Sequence, residues 1–200
     1  MMIPYFPDWL QNWDVSVLNW IQEHMVSPFW DKFFSIITHL GDAGLFWILI
    51  AVVMLFFKKT RKTGIMMGVA LVLGLILCNG LLKNIVARVR PFDLDGAYGS
   101  IKTVEDLLVS RPGDKSFPSG HTIASFEAAF VLFHWDKRFG VPAIIIAAAV
   151  SFSRLYLYLH FPTDVIASVL LALLNAFLAV IIVNWIYRYI GKKKELKINK

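Results

Sequence analysis

The chain has 200 residues, the size of one domain. It is 58% hydrophobic and 17% charged, where a soluble domain sits nearer half and a quarter, so a water-soluble globule is excluded and a membrane protein is indicated. The net charge of +6 then matters less as a sum than by where the charges fall along the chain.

The N-terminus has no basic stretch leading into an apolar run, so no cleavable signal peptide is expected. Residues 9–26 place Leu10, Trp13, Val17, Ile21 and Met25 at helical spacing, with Asn12, Asp14, Ser16, Asn19 and Glu23 facing elsewhere. That pattern predicts an amphipathic helix in the membrane interface, with Trp9, Trp13 and Trp20 in the headgroup layer. Ser27-Pro28 reads as a restart, an N-cap followed by proline at the first helical position. A short helix through Trp30 and Phe34 to about His39 follows, broken by Gly41 and Gly44. Residues 44–57 are continuously apolar but short for a crossing, and need help from the preceding helix or a thinner bilayer. Residues 64–82 are a full crossing, in which Gly64 and Gly68 suit close helix contact. The lone cysteine, Cys78, lies there as a small core residue and rules out a disulfide within the chain.

A polar loop spans 88–118. Residues 122–134 are apolar and end at Asp136-Lys137-Arg138. Residues 140–159 form another crossing, and Pro162 restarts a helix that runs to about residue 190. The expected fold is all-α: a polytopic transmembrane bundle of about five main spans plus N-terminal amphipathic interfacial helices. Residues 1–28 are the interfacial segment, 29–191 the transmembrane domain, and 192–200 a basic cytoplasmic tail. Basic clusters at 58–62, 137–138 and 192–194 recur at every second apolar boundary. They share one side, which the excess of Lys and Arg assigns to the cytoplasm. The expected location is the cytoplasmic membrane, multi-pass, with the intervening polar stretches together on the extracytoplasmic face.

Those stretches carry the chemistry. Lys83, Arg90 and Arg154 come from different segments but all sit at outer span ends, where an isolated cation is usually a snorkelling anchor. Three on one face, against the positive-inside trend, make an anion site: arginine offers a rigid fork to phosphate oxygens, lysine a mobile point charge. Ser119 and Gly120 open a span, where unpaired backbone N–H groups favour an anion and glycine lets the backbone approach it. His160 precedes the break at Pro162, and Asp164 follows four residues later. A carboxylate on Nδ1 would fix the ring's tautomer and leave Nε2 free as a nucleophile. His121, beginning a different span, could serve as general acid. Charge neutralisation, an in-line nucleophile and a proton donor are what phosphoryl transfer requires.

Lys83, six residues, then Arg90-Pro91; Pro118-Ser119-Gly120-His121; and Ser153-Arg154, five residues, His160, three residues, Asp164: in that order these resemble the three signature motifs of the type 2 phosphatidic acid phosphatase superfamily. The resemblance covers roughly residues 30–190. It implies a helical membrane bundle and metal-independent hydrolysis through a phosphohistidine. By motif position His160 resembles the nucleophile, Asp164 its orienting partner and His121 the proton donor. Lys83, Arg90, Arg154, Ser119 and Gly120 resemble the phosphate cradle. The expected partners are a lipid phosphate or diphosphate and the bilayer. Undecaprenyl diphosphate comes first, and phosphatidylglycerol phosphate or phosphatidic acid second. The rival reading is an anion-binding transporter, for which inverted repeats or broken mid-membrane helices would be the sign; neither is seen in the sequence.

No cofactor and no nucleic-acid partner are expected. No metal is expected either: no closely spaced histidine pair forms a chelate, and three cations would repel a divalent ion. Glu127, six positions beyond His121 in an apolar span, is read as a hydrogen-bonded structural carboxyl, with function as the alternative. His39 and Asp42 are read as a capped helix end, with the rim of the site as the alternative. Phe92, Tyr98 and Phe117, with the Trp-rich N-terminal helix, could shape a lipid entrance, with anchoring in the membrane interface as the alternative.

Overall fold

The computed structural model describes residues 6–198. Among them there are helices and turns and no strand. Helix α1 is Asp8–Met25 and α2 is Pro28–Ile37. Ser27 caps α2, its side chain accepting from Trp30 N, and Pro28 occupies the first turn. The chain then kinks through Thr38–Gly44, with Ala43 and Gly44 left-handed at φ 49° and 67°. Helix α3, Leu45–Phe56, and α4, Arg61–Leu75, form an antiparallel pair. At their junction Thr60 Oγ1 and Arg61 Nε donate to the carbonyls of Met54 and Leu55, which the end of α3 leaves free.

Past α4 the helix widens into a π-helical stretch, Ile76–Leu82, before one more α-turn, α5, Lys83–Val86. The loop of residues 88–119 follows. Helix α6, Gly120–Trp135, and α7, Lys137–Tyr156, are joined through Asp136 alone, whose side chain caps α7 by accepting from Arg138 N. Helix α8, Pro162–Ile198, runs beyond the expected end near residue 190 and into the expected tail. Residues 1–5 of the expected interfacial segment and 199–200 of the tail lie outside the described residues.

Helix α6 is central, packed against α4, α7 and α8. The core here is built from small side chains: Ala51, Ala70, Ala128, Ala129, Ala147 and Ala179 are buried among Met67 and Trp47. Large apolar residues point outward instead, as on α8 at Leu170, Phe177 and Trp185. Lipid solvates these as well as a core would, so close backbone approach through small residues holds such a bundle. Gly64 serves that approach, since a Cβ there would lie 2.7 Å from the Ala51 carbonyl oxygen. Gly68, expected to do the same, does not: a Cβ there meets nothing within 4 Å.

Among the described residues, four stretches are long and apolar enough to cross a membrane: Pro28–Phe56, Arg61–Asp93, Lys137–Tyr156 and Pro162–Lys192. The chain is a multi-pass membrane protein. The short run at 44–57 thus draws on α2, as expected. Helix α6, the third of the five expected crossings, has 16 residues, about 24 Å at helical rise, and runs beside α7 from the loop end of the bundle to the opposite end. A second apolar cluster caps the loop end, with Val15, Leu18 and Ile21 of α1 over Phe34, Phe92 and the segment 156–161. The inward face of α1 differs from the expected one. It is Gln11, Asp14, Val15, Leu18, Ile21 and Gln22, while Trp9, Trp13 and Trp20 are exposed. Polar bonding, not apolar period, orients this helix: Gln22 Nε2 donates to the Tyr156 carbonyl and Asn19 Nδ2 to the Gly99 carbonyl, both at 2.7 Å.

Candidate active site

Five ionisable side chains expected to act together, Lys83, Arg90, His121, Arg154 and His160, line one cavity of about 1170 Å³, along with Gly120. They arrive from four places in the chain. The π-helical stretch re-aims the end of the second crossing and delivers Lys83, which is buried. Ala87 then turns left-handed (φ 48°) and closes α5. Beyond it the chain is extended through Arg90, so Arg88 and Arg90 share a side at period two. They bracket the segment that carries His160 and Asp164.

That segment is a non-helical turn after α7. Leu159 N and His160 N both donate to the Arg154 carbonyl, at 3.0 and 3.2 Å. Tyr158 sits in it at φ 58°, a left-handed conformation that costs a non-glycine residue roughly 1–2 kcal/mol. Its ring is fully buried, and its hydroxyl donates to Asn19 Oδ1 of α1 at 2.7 Å. Strain of this kind persists where surrounding contacts over-determine it.

His160 is 1% exposed. Arg90 Nη1 donates to the Leu159 carbonyl at 2.7 Å and lies 3.2 Å from His160 Nε2. An arginine nitrogen can only donate, so Nε2 is the lone-pair nitrogen and the proton sits on Nδ1. Nδ1 faces Asp164 Oδ2 at 3.7 Å, longer than a hydrogen bond, and has no hydrogen-bond partner among the described residues. The expected carboxylate–imidazole bond is therefore not closed. Asp164 Oδ2 is instead engaged by Ser116 Oγ at 2.5 Å and Phe161 N at 3.0 Å, and Oδ1 by Arg88. Burial pushes the His160 imidazole well below its usual range, and the charges of Arg90, Arg154 and Lys83 push the same way. It is a neutral ring.

The remaining residues divide between the cavity and its frame. Arg154 Nη1 donates to Thr38 Oγ1 at 2.5 Å, while its Nε is buried with no partner among the described residues. His121 Nε2 meets Asp42 Oδ1 at 2.9 Å, and His39 Nδ1 meets Asp42 Oδ2 at 2.7 Å. Asp42 is thus on the site rim, not confined to a helix cap. The kink can come this close because Gly41 has no side chain: a Cβ would lie 2.5 Å from His121 Cδ2. Ser119 belongs to the frame. Its hydroxyl accepts from Thr122, and its N–H donates to Ser168 Oγ at 2.8 Å, which in turn donates to the Asp164 carbonyl. Phe92 is buried in the apolar cap and does not shape an entrance.

Asp114, which the motifs do not single out, bridges two of the cations. It pairs with Lys83 Nζ and accepts from Arg90 Nη2 at 2.5 Å. Burial alone would raise its carboxyl, but Lys83 and then Arg90 outweigh that and hold it down to about 2. Arg88, Asp14 and Ser116 were likewise missed. The one signal in the sequence was the alternation Arg88-Val89-Arg90.

Away from the charges the cavity is an apolar slot between α3 and α4. Ile48, Val52, Val72 and Leu75 line it and are themselves exposed. Glu127 lies along it, accepting from Asn175 Nδ2 at 3.1 Å, in space left by Gly74. Among the described residues no three His, Cys, Asp or Glu side chains cluster as metal ligands would.

A protein-family model described as the PAP2 superfamily matches residues 63–188. An undecaprenyl-diphosphatase of Sulfolobus acidocaldarius is 38% identical over 136 residues, 67% of this chain. The chain spans 62% of the length of that relative. Among solved structures, a transmembrane PAP2-type phosphatidylglycerolphosphate phosphatase from Bacillus subtilis superposes with a TM-score of 0.68 at 27% identity, covering 86% of this chain and 85% of that one. LpxE of Aquifex aeolicus gives 0.64 at 25% identity, covering 90% and 99%.

Proposed function

The chain belongs to the PAP2 superfamily, and from that premise we propose that it is an integral-membrane lipid phosphatase working through a phosphohistidine on His160. The observation that carries this reading is the shared cavity: two imidazoles and three cations at the polar end of an apolar slot. A lipid's tail fits the slot while its phosphate reaches the cations, whose charge offsets that of the transferring group. The lone pair of His160 Nε2 forms the N–P bond as the bond from phosphorus to the leaving oxygen breaks, and that oxygen takes a proton from His121. Water then attacks the phosphorus and gives a proton to His121. The N–P bond breaks, its electron pair returns to Nε2, and inorganic phosphate is released.

The preferred substrate is undecaprenyl diphosphate, supported by the 38% identity to a relative of that name. Phosphatidylglycerol phosphate or phosphatidic acid is the second reading, favoured by the likeness to the B. subtilis structure. The enzyme works in the cytoplasmic membrane with its site on the extracytoplasmic side, the orientation supported by basic runs at the opposite helix ends.

The test is phosphate release by purified protein from the three lipids, with EDTA present and vanadate as competitor. Release fastest from undecaprenyl diphosphate, blocked by vanadate, is expected. His160→Ala should lower turnover at least ~10³-fold while lipid binding persists. No release from any of the lipids would overturn the reading; unchanged turnover in His160→Ala would remove the nucleophile.

A further inference from the structure

Asp14 lies well before residue 63, where the family match begins, and Arg88 holds no named motif position. Both are nonetheless wired to the site. Arg88 is 2% exposed, and Asp14 and Asp164 are fully buried. Nη1 of Arg88 donates to Asp164 Oδ1 at 2.7 Å and to Thr163 Oγ1 at 2.8 Å. Nη2 donates to Asp14 Oδ2 at 2.6 Å and to Gln11 Oε1 at 2.7 Å. The rings of Phe6 and Phe161 lie against the guanidinium, at 3.9 and 3.8 Å from their centroids. The fork is thus shared between a carboxylate of α1 and the carboxylate beside His160.

Asp14 is ionised in this arrangement. Burial raises its carboxyl above the ordinary value, against Thr163 and Arg88. Against that, Thr163 N at 2.9 Å, Thr163 Oγ1 at 2.5 Å and the permanently charged Arg88 guanidinium at 2.6 Å all donate to it, which favours the carboxylate. The buried group then holds one cation and two anions. With Arg88 and Asp164 alone the pair would be neutral, and the guanidinium would cancel the field of Asp164 at the imidazole. With Asp14 present, this group of three keeps one net negative charge on the Nδ1 side of His160, facing Arg90 at Nε2 across the ring. That charge is needed when Nε2 bonds to phosphorus and the ring becomes cationic.

We propose that Asp14 is a positioning residue: by sharing Arg88, it leaves Asp164 able to stabilise the cationic ring of the phosphorylated His160. The proposal rests on the phosphatase reading above and extends it to the N-terminal helix, which becomes part of the machinery and not solely an interfacial anchor.

The experiment compares wild type, Asp14→Asn and Arg88→Lys in detergent. Lysine keeps the charge but cannot fork between two carboxylates, so it carries the same test if Asp14→Asn folds poorly. Three quantities are read: kcat and KM, the affinities for vanadate and for inorganic phosphate by calorimetry, and the thermal midpoint. Vanadate reports on the five-coordinate state in which the ring is charged; phosphate reports on the resting cradle. Both variants should lose about tenfold in kcat and in vanadate affinity, with KM and phosphate affinity within about twofold and a thermal midpoint close to wild type. Unchanged vanadate affinity in both, or parallel loss of vanadate and phosphate affinity with a lowered midpoint, would overturn the proposal. Weakened vanadate binding in a protein whose wild type releases no lipid phosphate would leave the link standing and remove the phosphatase reading instead.

Discussion

Asp114 holds the place of a ligand. Its carboxylate rests on Lys83 and Arg90, two of the three cations that an incoming phosphate would engage. Because the carboxyl is held down to about 2, it stays charged at any pH where a membrane enzyme works. Its contribution to stability is complete above 3.8 and is lost as pH falls through about 2. Half of its side chain is exposed, so the contact is worth far less than a buried pair. Asp114→Asn is accordingly expected to tighten product inhibition by inorganic phosphate about three- to tenfold; a weaker inhibition would show that the carboxylate orients the cations more than it competes for them. At this scale the sequence told its motif residues plainly, because fixed spacing ties them to chemistry. Asp14 was invisible. A carboxylate on an amphipathic helix is normally solvated, and its partner Arg88 lies 74 positions away.

The α3–α4 pair shows what an element adds. Near the junction Gly64 brings the two helices together, and further along Gly68 opens onto unoccupied space in the slot wall. A leucine at 68 has room to fold and would fill the slot. Gly68→Leu should raise KM for a long-chain lipid phosphate about tenfold or more while a short-chain soluble phosphate is hydrolysed as before, read from initial rates on the two substrates. Equal rates on both would show that the tail lies elsewhere. These helices were legible because long apolar runs permit little else in a membrane. The widening at Ile76–Leu82 was not, because a run that is apolar but for Asn79 and Gly80 has no period to betray a change from four- to five-residue bonding. The difference between Gly64 and Gly68 was hidden for a related reason: spacing names a close approach but not which partner stands opposite.

At the level of the whole molecule, the site lies where α5 and α7 end and α6 and α8 begin, and the basic runs lie at the other end. That the chain crosses the membrane several times followed from its hydropathy. The docking of α1 over the site did not, since its inward face carries Gln11, Asp14 and Gln22 and departs from the helix's apolar period. Sidedness has a direct measurement. In a Cys78→Ser background, Ser110→Cys should react with an impermeant thiol reagent added outside intact cells, and Lys59→Cys only after permeabilisation. The reverse pattern would overturn the extracytoplasmic assignment and leave the chemistry untouched.

The slot between α3 and α4 has exposed hydrocarbon walls. On the proposed reading, a lipid phosphate held there would keep its tail in the same two-dimensional fluid from which it came, and only its head would be handed to the histidines. The quantity that governs turnover is then the mole fraction of phosphorylated lipid within the sheet. Diluting that sheet with inert phospholipid slows the enzyme at constant total substrate, whereas adding buffer does not.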